Sequence, residues 1–122
     1  MDSGITGTTG RGRLQVAVRQ HGPSAVVAPS GELDHHTAEL LREQLDRCLE
    51  AGTARLVIDC TQLQFCDSTG LNVLLAARIR AEADGGGIHL AGMRPAVARV
   101  FEITGADAVF TVHESLDQAL ED

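Results

Sequence analysis

From Leu14 onward the apolar positions Leu14, Val16 and Val18 alternate with Gln15, Ala17 and Arg19, the period-two pattern of a strand with one buried face. His21-Gly22-Pro23 supplies a turn before Ala25-Val26-Val27-Ala28, so this stretch predicts a β-hairpin. The period then changes. Leu41, Leu45, Cys48 and Leu49 recur at helical spacing behind Asp34, which is expected to cap the helix, and Gly52 is expected to close it. Leu56-Val57-Ile58 forms a short apolar run between two helical patterns, as in a buried strand of a β-α-β unit.

Asp67-Ser68-Thr69 opens a second helical pattern carrying Leu71, Leu74, Leu75, Arg78 and Ile79, and Asp84-Gly85-Gly86-Gly87 ends it before the strand Ile88-His89-Leu90-Ala91. Pro95 fits the first turn of a third helix through Val97, Val100, Phe101 and Thr104, stopping at Gly105. Val109 to Val112 reads as the last strand and Ser115 to Leu120 as a short terminal helix. The order β-β-α-β-α-β-α-β-α predicts an α/β fold: a mixed sheet, with an N-terminal antiparallel hairpin and parallel crossovers, packed with about four α-helices. Residues 1–12, mostly Gly, Thr and Ser, have too little apolar surface to offset their ordering entropy and are expected to form a flexible tail before a single domain spanning 13–122.

Composition narrows the function. The chain has 122 residues and a formal net charge of -7, which disfavours binding to a phosphate backbone, so no nucleic acid partner is expected. All the basic residues are Arg; without Lys there is no P-loop, Schiff-base or Lys-dependent phospho-aspartate chemistry. The three Phe residues are the only aromatics apart from His, too few for a platform that stacks bases or sugars. No run is long and apolar enough for a membrane span, and the N-terminus lacks the flank and core of a signal peptide, so a cytoplasmic location is expected. Cys48, Cys60 and Cys66 fall in no metal-binding spacing and read as buried apolar residues, with neither metal nor cofactor implied.

Phe65-Cys66-Asp67-Ser68-Thr69-Gly70 is the sharpest local feature. Its simplest reading is a helix cap, in which Asp67 or Ser68 accepts a backbone N–H bond worth about 1 kcal/mol. The same geometry seats a phosphate at the positive end of a helix, and a phosphoserine would add about -1.5 to -2 charge there. Other constellations are weaker. Asp59 ends a buried strand as a receiver aspartate does, but lacks an acidic pair and a Lys. Asp67-Ser68-Thr69-Gly70 has no second copy to share a proton as an aspartic protease dyad does. His35 and His36 are adjacent rather than at helical metal spacing and read as a solvated helix start, while Gly85-Gly86-Gly87 leads from helix to strand and is a connector.

Gly31-Glu32-Leu33-Asp34-His35-His36-Thr37-Ala38-Glu39, followed by Phe65-Cys66-Asp67-Ser68-Thr69-Gly70-Leu71, resembles the bacterial STAS anti-sigma factor antagonists, the first string most closely their sporulation members. The resemblance runs from about Leu14 to Leu120 and includes Arg94-Pro95-Ala96-Val97 and Phe101-x-x-Thr104-Gly105. It implies a STAS domain that is not an enzyme. Its unphosphorylated form would bind an anti-sigma factor of the GHKL Ser kinase type and release the sigma factor; phosphorylation of Ser68 would switch it off, and a PP2C-type phosphatase would reset it. It further implies that Asp67 positions the Ser68 hydroxyl and that Asp34 contacts a basic residue of the kinase. Asp34, Asp67, Ser68, Thr69 and Asn72 are the expected partner-binding set. Asn72 stands where relatives usually have Gly and is expected to retune partner choice. The protein is expected to be a monomer. Two rivals remain: a structural STAS subunit of a stressosome-like or lipid-transport complex not switched at Ser68, and an enzyme of phosphoryl or acyl transfer using Asp59, Asp67 or Ser68.

Overall fold

In a computed structural model describing residues 7–121, the predicted hairpin is made by strands β2 (Leu14–His21) and β3 (Ser24–Leu33), paired antiparallel with Val18 opposite Val27. Leu14, Val16 and Val18 on β2 and Ala25, Val27 and Leu33 on β3 share the face that enters the main core, as their alternation requires. The segment expected as a tail departs from that reading. Gly7–Arg11 forms an exposed strand, β1, antiparallel to β2, whereas residues 1–6 lie outside the described residues. Backbone ladder bonds hold β1 without side-chain burial, so hydrophobic patterning carries no trace of it.

The first helix, α1 (Ala38–Glu50), starts later than predicted. Its N-cap is Thr37, and Asp34 closes a separate turn before it. Next come β4 (Arg55–Asp59), β5 (Leu63–Cys66), α2 (Ser68–Ala83), β6 (Gly87–Ala91), α3 (Pro95–Thr104), a single 3-10 turn at Ala106–Ala108, β7 (Thr111–His113) and α4 (Leu116–Glu121). β5 was not legible as a strand: it is four residues long and its burial does not alternate. The last strand begins two residues later than predicted because Ala106–Ala108 turns first and Phe110 folds back edge-on against Phe101 in the core.

The strands form one mixed sheet in the order β1-β2-β3-β4-β6-β7, with β5 pairing β3. β3 is long enough to pair in parallel with two strands in succession, β4 along Ser24–Val27 and β5 along Gly31–Leu33. α1, α2 and α3 contribute Leu41, Leu45, Leu74, Val97 and Phe101 to the main core on one face. The alternate residues Val26, Val57 and Ala91 face the other way, where α4 covers them with Leu116, Ala119 and Leu120. No helix among the described residues is long and apolar enough to cross a membrane.

Candidate functional site

Leu33 and Cys66 are register partners at the ends of the parallel strands β3 and β5, and Asp34 and Asp67 directly follow them. Parallel pairing therefore delivers both carboxylates to the same carboxyl edge of the sheet. The Asp67 backbone N–H donates to the Leu33 carbonyl at 3.1 Å, extending the ladder by one residue.

Asp67 is the N-cap of α2, with extended backbone, and its Oδ1 accepts from the Thr69 N–H at 2.9 Å and the Gly70 N–H at 3.1 Å. Two of the helix's free donors are satisfied in this way. Ser68 is then the first helical residue. It is exposed, and its hydroxyl makes no hydrogen bond among the described residues. Thr69 and Asn72 are exposed as well, and Asn72 lies one turn beyond Ser68 on the same side of α2. Gly70 and Leu71 point inward, and Gly70 lets the helix approach closely: a Cβ there would lie 2.5 Å from Leu33 Cγ and 3.3 Å from Cys66 Sγ. Ser68 thus sits on a helix end fixed in position against β3 and β5.

Asp34 anchors the neighbouring turn. Its Oδ1 accepts from the His36 N–H at 2.9 Å and the Thr37 N–H at 3.2 Å, while the Thr37 hydroxyl bonds back to the Glu32 carbonyl at 2.8 Å. Burial alone would raise the Asp34 carboxyl, but the His36 N–H, the Thr37 hydroxyl and the Thr37 N–H together outweigh it and hold the group below the ordinary carboxylate range. Asp34 is therefore a fixed anion at neutral pH. The tip of this turn carries His35, whose Nδ1 is 4.0 Å from Asp67 Oδ2, with its ring beside that of His36.

Asp34, Asp67, Ser68, Thr69 and Asn72 thus occupy one edge of the fold. Sequence reasoning missed three neighbours there. His35 is brought to Asp67 by the β3–β5 pairing, which adjacent-residue spacing does not reveal. Phe65, opposite Glu32 in register, is 48% exposed three residues before Ser68. Glu32 holds Arg13 in an exposed ion pair at 3.4 Å. Phe65 heads the sequence string that ends at Gly70, but nothing in that string told an exposed ring from a buried one.

Burial, with the Asp67 charge as a second cause, pushes the Cys66 thiol up to about 12, so it is protonated and inert as a nucleophile at neutral pH. Among the described residues no group of three or more His, Cys, Asp or Glu side chains could hold a metal ion. Asp59 Oδ1 is engaged locally by the Thr61 N–H and hydroxyl. The edge thus carries the fixed charge of Asp34, the exposed Phe65 ring and the unbonded Ser68 hydroxyl.

The family model for the STAS domain matches residues 15–119. The anti-sigma F factor antagonist of Paenibacillus polymyxa is 31% identical over 108 residues, covering 88% of this chain and 92% of that protein. The anti-sigma-B factor antagonist of Bacillus subtilis is 31% identical over 99 residues, covering 81% of this chain and 90% of that protein. Among solved structures, an anti-sigma factor antagonist from Mycobacterium paratuberculosis superposes with a TM-score of 0.82 at 30% identity, covering 88% of this chain and 92% of that one.

Proposed function

The chain belongs to the STAS domain family, and from that premise we propose that it is an anti-sigma factor antagonist switched at Ser68. In its unphosphorylated form it binds an anti-sigma factor of the GHKL Ser kinase type through the edge formed by Asp34, Asp67, Ser68, Thr69 and Asn72, and so releases the sigma factor. The kinase phosphorylates Ser68, which ends binding, and a PP2C-type phosphatase restores it. The protein acts by binding rather than catalysis, as a monomer in the cytoplasm.

The observation that carries this reading is the placement of Ser68: exposed, unbonded, first in α2 and immediately behind a cap that Asp67 already supplies. Because Asp67 does the capping, phosphorylation of Ser68 removes no hydrogen bond from the fold. The positive end of α2 tolerates a phosphate. A partner surface seated over Asp34 and Asp67 does not, because about -1.5 to -2 charge is added beside two existing carboxylates and must be desolvated on docking. The switch therefore changes binding and leaves the domain folded.

The test is to incubate the protein with a GHKL anti-sigma kinase and Mg-ATP, then read intact mass and map the modified peptide. One phosphate on Ser68, absent from Ser68→Ala, is expected. A complex that forms without any phosphate transfer would overturn the switch and favour a structural STAS subunit.

A further inference from the structure

The family match begins at Gln15, so β1 and the turn at Gly12-Arg13 precede it. This addition is built into the partner-facing edge. The Arg13 carbonyl accepts from the Glu32 N–H at 2.9 Å. Gly31 makes that approach possible, since it has φ +108 and a Cβ on it would collide with the Arg13 carbonyl oxygen. Gly12 and Thr37 line one cavity, and Arg11 pairs with Glu43 of α1 at 3.5 Å. The hairpin tip is thereby held beside the Asp34 turn.

Between the two lies a cavity of about 360 Å³, walled by Gly12 and Arg13 on one side and by Glu32, Asp34, His36 and Thr37 on the other. Both hydrogen bonds to the Asp34 side chain from the backbone fall on Oδ1, and Oδ2 makes none among the described residues. Arg13 Nη1 reaches both oxygens of Glu32, at 3.4 and 3.5 Å, near the limit of a hydrogen bond, and the Arg13 side chain is 78% exposed. A guanidinium already sits at the rim of an anionic cavity, loosely held by one of its two carboxylates.

We propose that Arg13 is a selectivity element: it competes from within the chain for the place that a partner's arginine takes between Glu32 and Asp34. The inference rests on the anti-sigma factor antagonist reading and adds to it a residue outside the family domain that sets how strongly a cationic partner engages. A partner guanidinium enters the cavity, meets Asp34 Oδ2, and gains Glu32 only as Arg13 lets go. The exposed Arg13–Glu32 pair is weak enough to be displaced. A guanidinium fits better than an ammonium because its planar fork can address two carboxylates at once.

The test uses the full chain and n-propylguanidinium as probe, followed by amide chemical shifts at matched ionic strength, with tetramethylammonium as the salt control. Saturable shifts are expected at Gly12, Arg13, His36 and Thr37, weaker with n-propylammonium and lost in Asp34→Asn, which keeps the Oδ1 acceptor and hence the turn. Arg13→Ala is expected to tighten the probe about two- to fivefold, the range set by an exposed ion pair. No saturable shift in either protein, or equal affinity with and without Arg13, would overturn the proposal. If Arg13→Ala changes nothing while phosphorylation of Ser68 still weakens the kinase complex, the selectivity inference fails and the proposed function stands. If the probe binds as expected while phosphorylation has no effect, the proposed function fails instead.

Discussion

Replacing Gly70 with alanine sets two physical effects against each other at the site. Alanine is the better helix former, by up to about 1 kcal/mol in a helix interior and less in a first turn. Against this, the new Cβ would meet Leu33 Cγ at 2.5 Å, Leu33 Cδ2 at 2.8 Å and Cys66 Sγ at 3.3 Å. Leu33 has 0% exposure, and its Cγ is a branch point rather than a free end, so relief requires repacking the core or lifting the start of α2. Overpacking of this kind costs about 1–3 kcal/mol. The steric effect should win, with a net loss of about 1–2 kcal/mol, read as a lower urea midpoint at unchanged slope and a melting temperature lower by several degrees. The same shift should slow phosphorylation of Ser68, which rides on the displaced turn. A double-mutant cycle isolates the cause: in a Leu33→Ala background the two contacts under 3 Å are gone and only Cys66 Sγ at 3.3 Å remains, so Gly70→Ala should lose most of its cost, giving a coupling of about 1 kcal/mol or more. A Gly70→Ala protein as stable as the parent, or more so, would refute the close-approach reasoning.

Three further outcomes follow from the geometry. Asp67→Ala should cost about 1 kcal/mol in urea unfolding through loss of the α2 cap, whereas Asp67→Asn, which keeps an acceptor, should lose less; equal losses would assign the effect to charge rather than capping. Because the folded Asp34 pKa lies below its unfolded value, its contribution is fully present above the unfolded pKa and is lost as pH falls through the folded one. Asp34→Asn should therefore lower stability near neutrality and flatten the acid limb of the profile below about pH 4, where parent and variant converge as the carboxyl protonates; curves that stay parallel down to about pH 2 would contradict this. Burial pushes the thiols of Cys48, Cys60 and Cys66 up to about 11, 12 and 12, so iodoacetamide at pH 8 should label none of them quickly in the folded protein and all three in urea.

The chain showed its fold wherever burial leaves a period. Leu14, Val16 and Val18 marked one face of a strand, and Pro95 with Val97 and Phe101 marked a helix whose start and core face are as expected. It was silent where structure rests on the backbone alone, as in β1, whose Gly-Thr-Thr-Gly-Arg sequence buries no side chain. It misled at Asp34, a good cap by residue type, because Thr37 offers the competing turn bond and the helix begins only at Ala38. The Asp67-Ser68 half of the site was legible because capping is local. Its meeting with Asp34, His35 and Glu32 depends on the pairing of Leu33 with Cys66 across a crossover, and no local spacing encodes that.

The account turns on one comparison: the affinity of a GHKL anti-sigma factor for this protein with Ser68 unmodified and with Ser68 phosphorylated, by calorimetry at constant salt. The account predicts at least a tenfold weaker complex after phosphorylation, about 1.4 kcal/mol or more, with both forms equally folded and Ser68→Ala binding like the unmodified protein. Equal affinities for the two forms would contradict it.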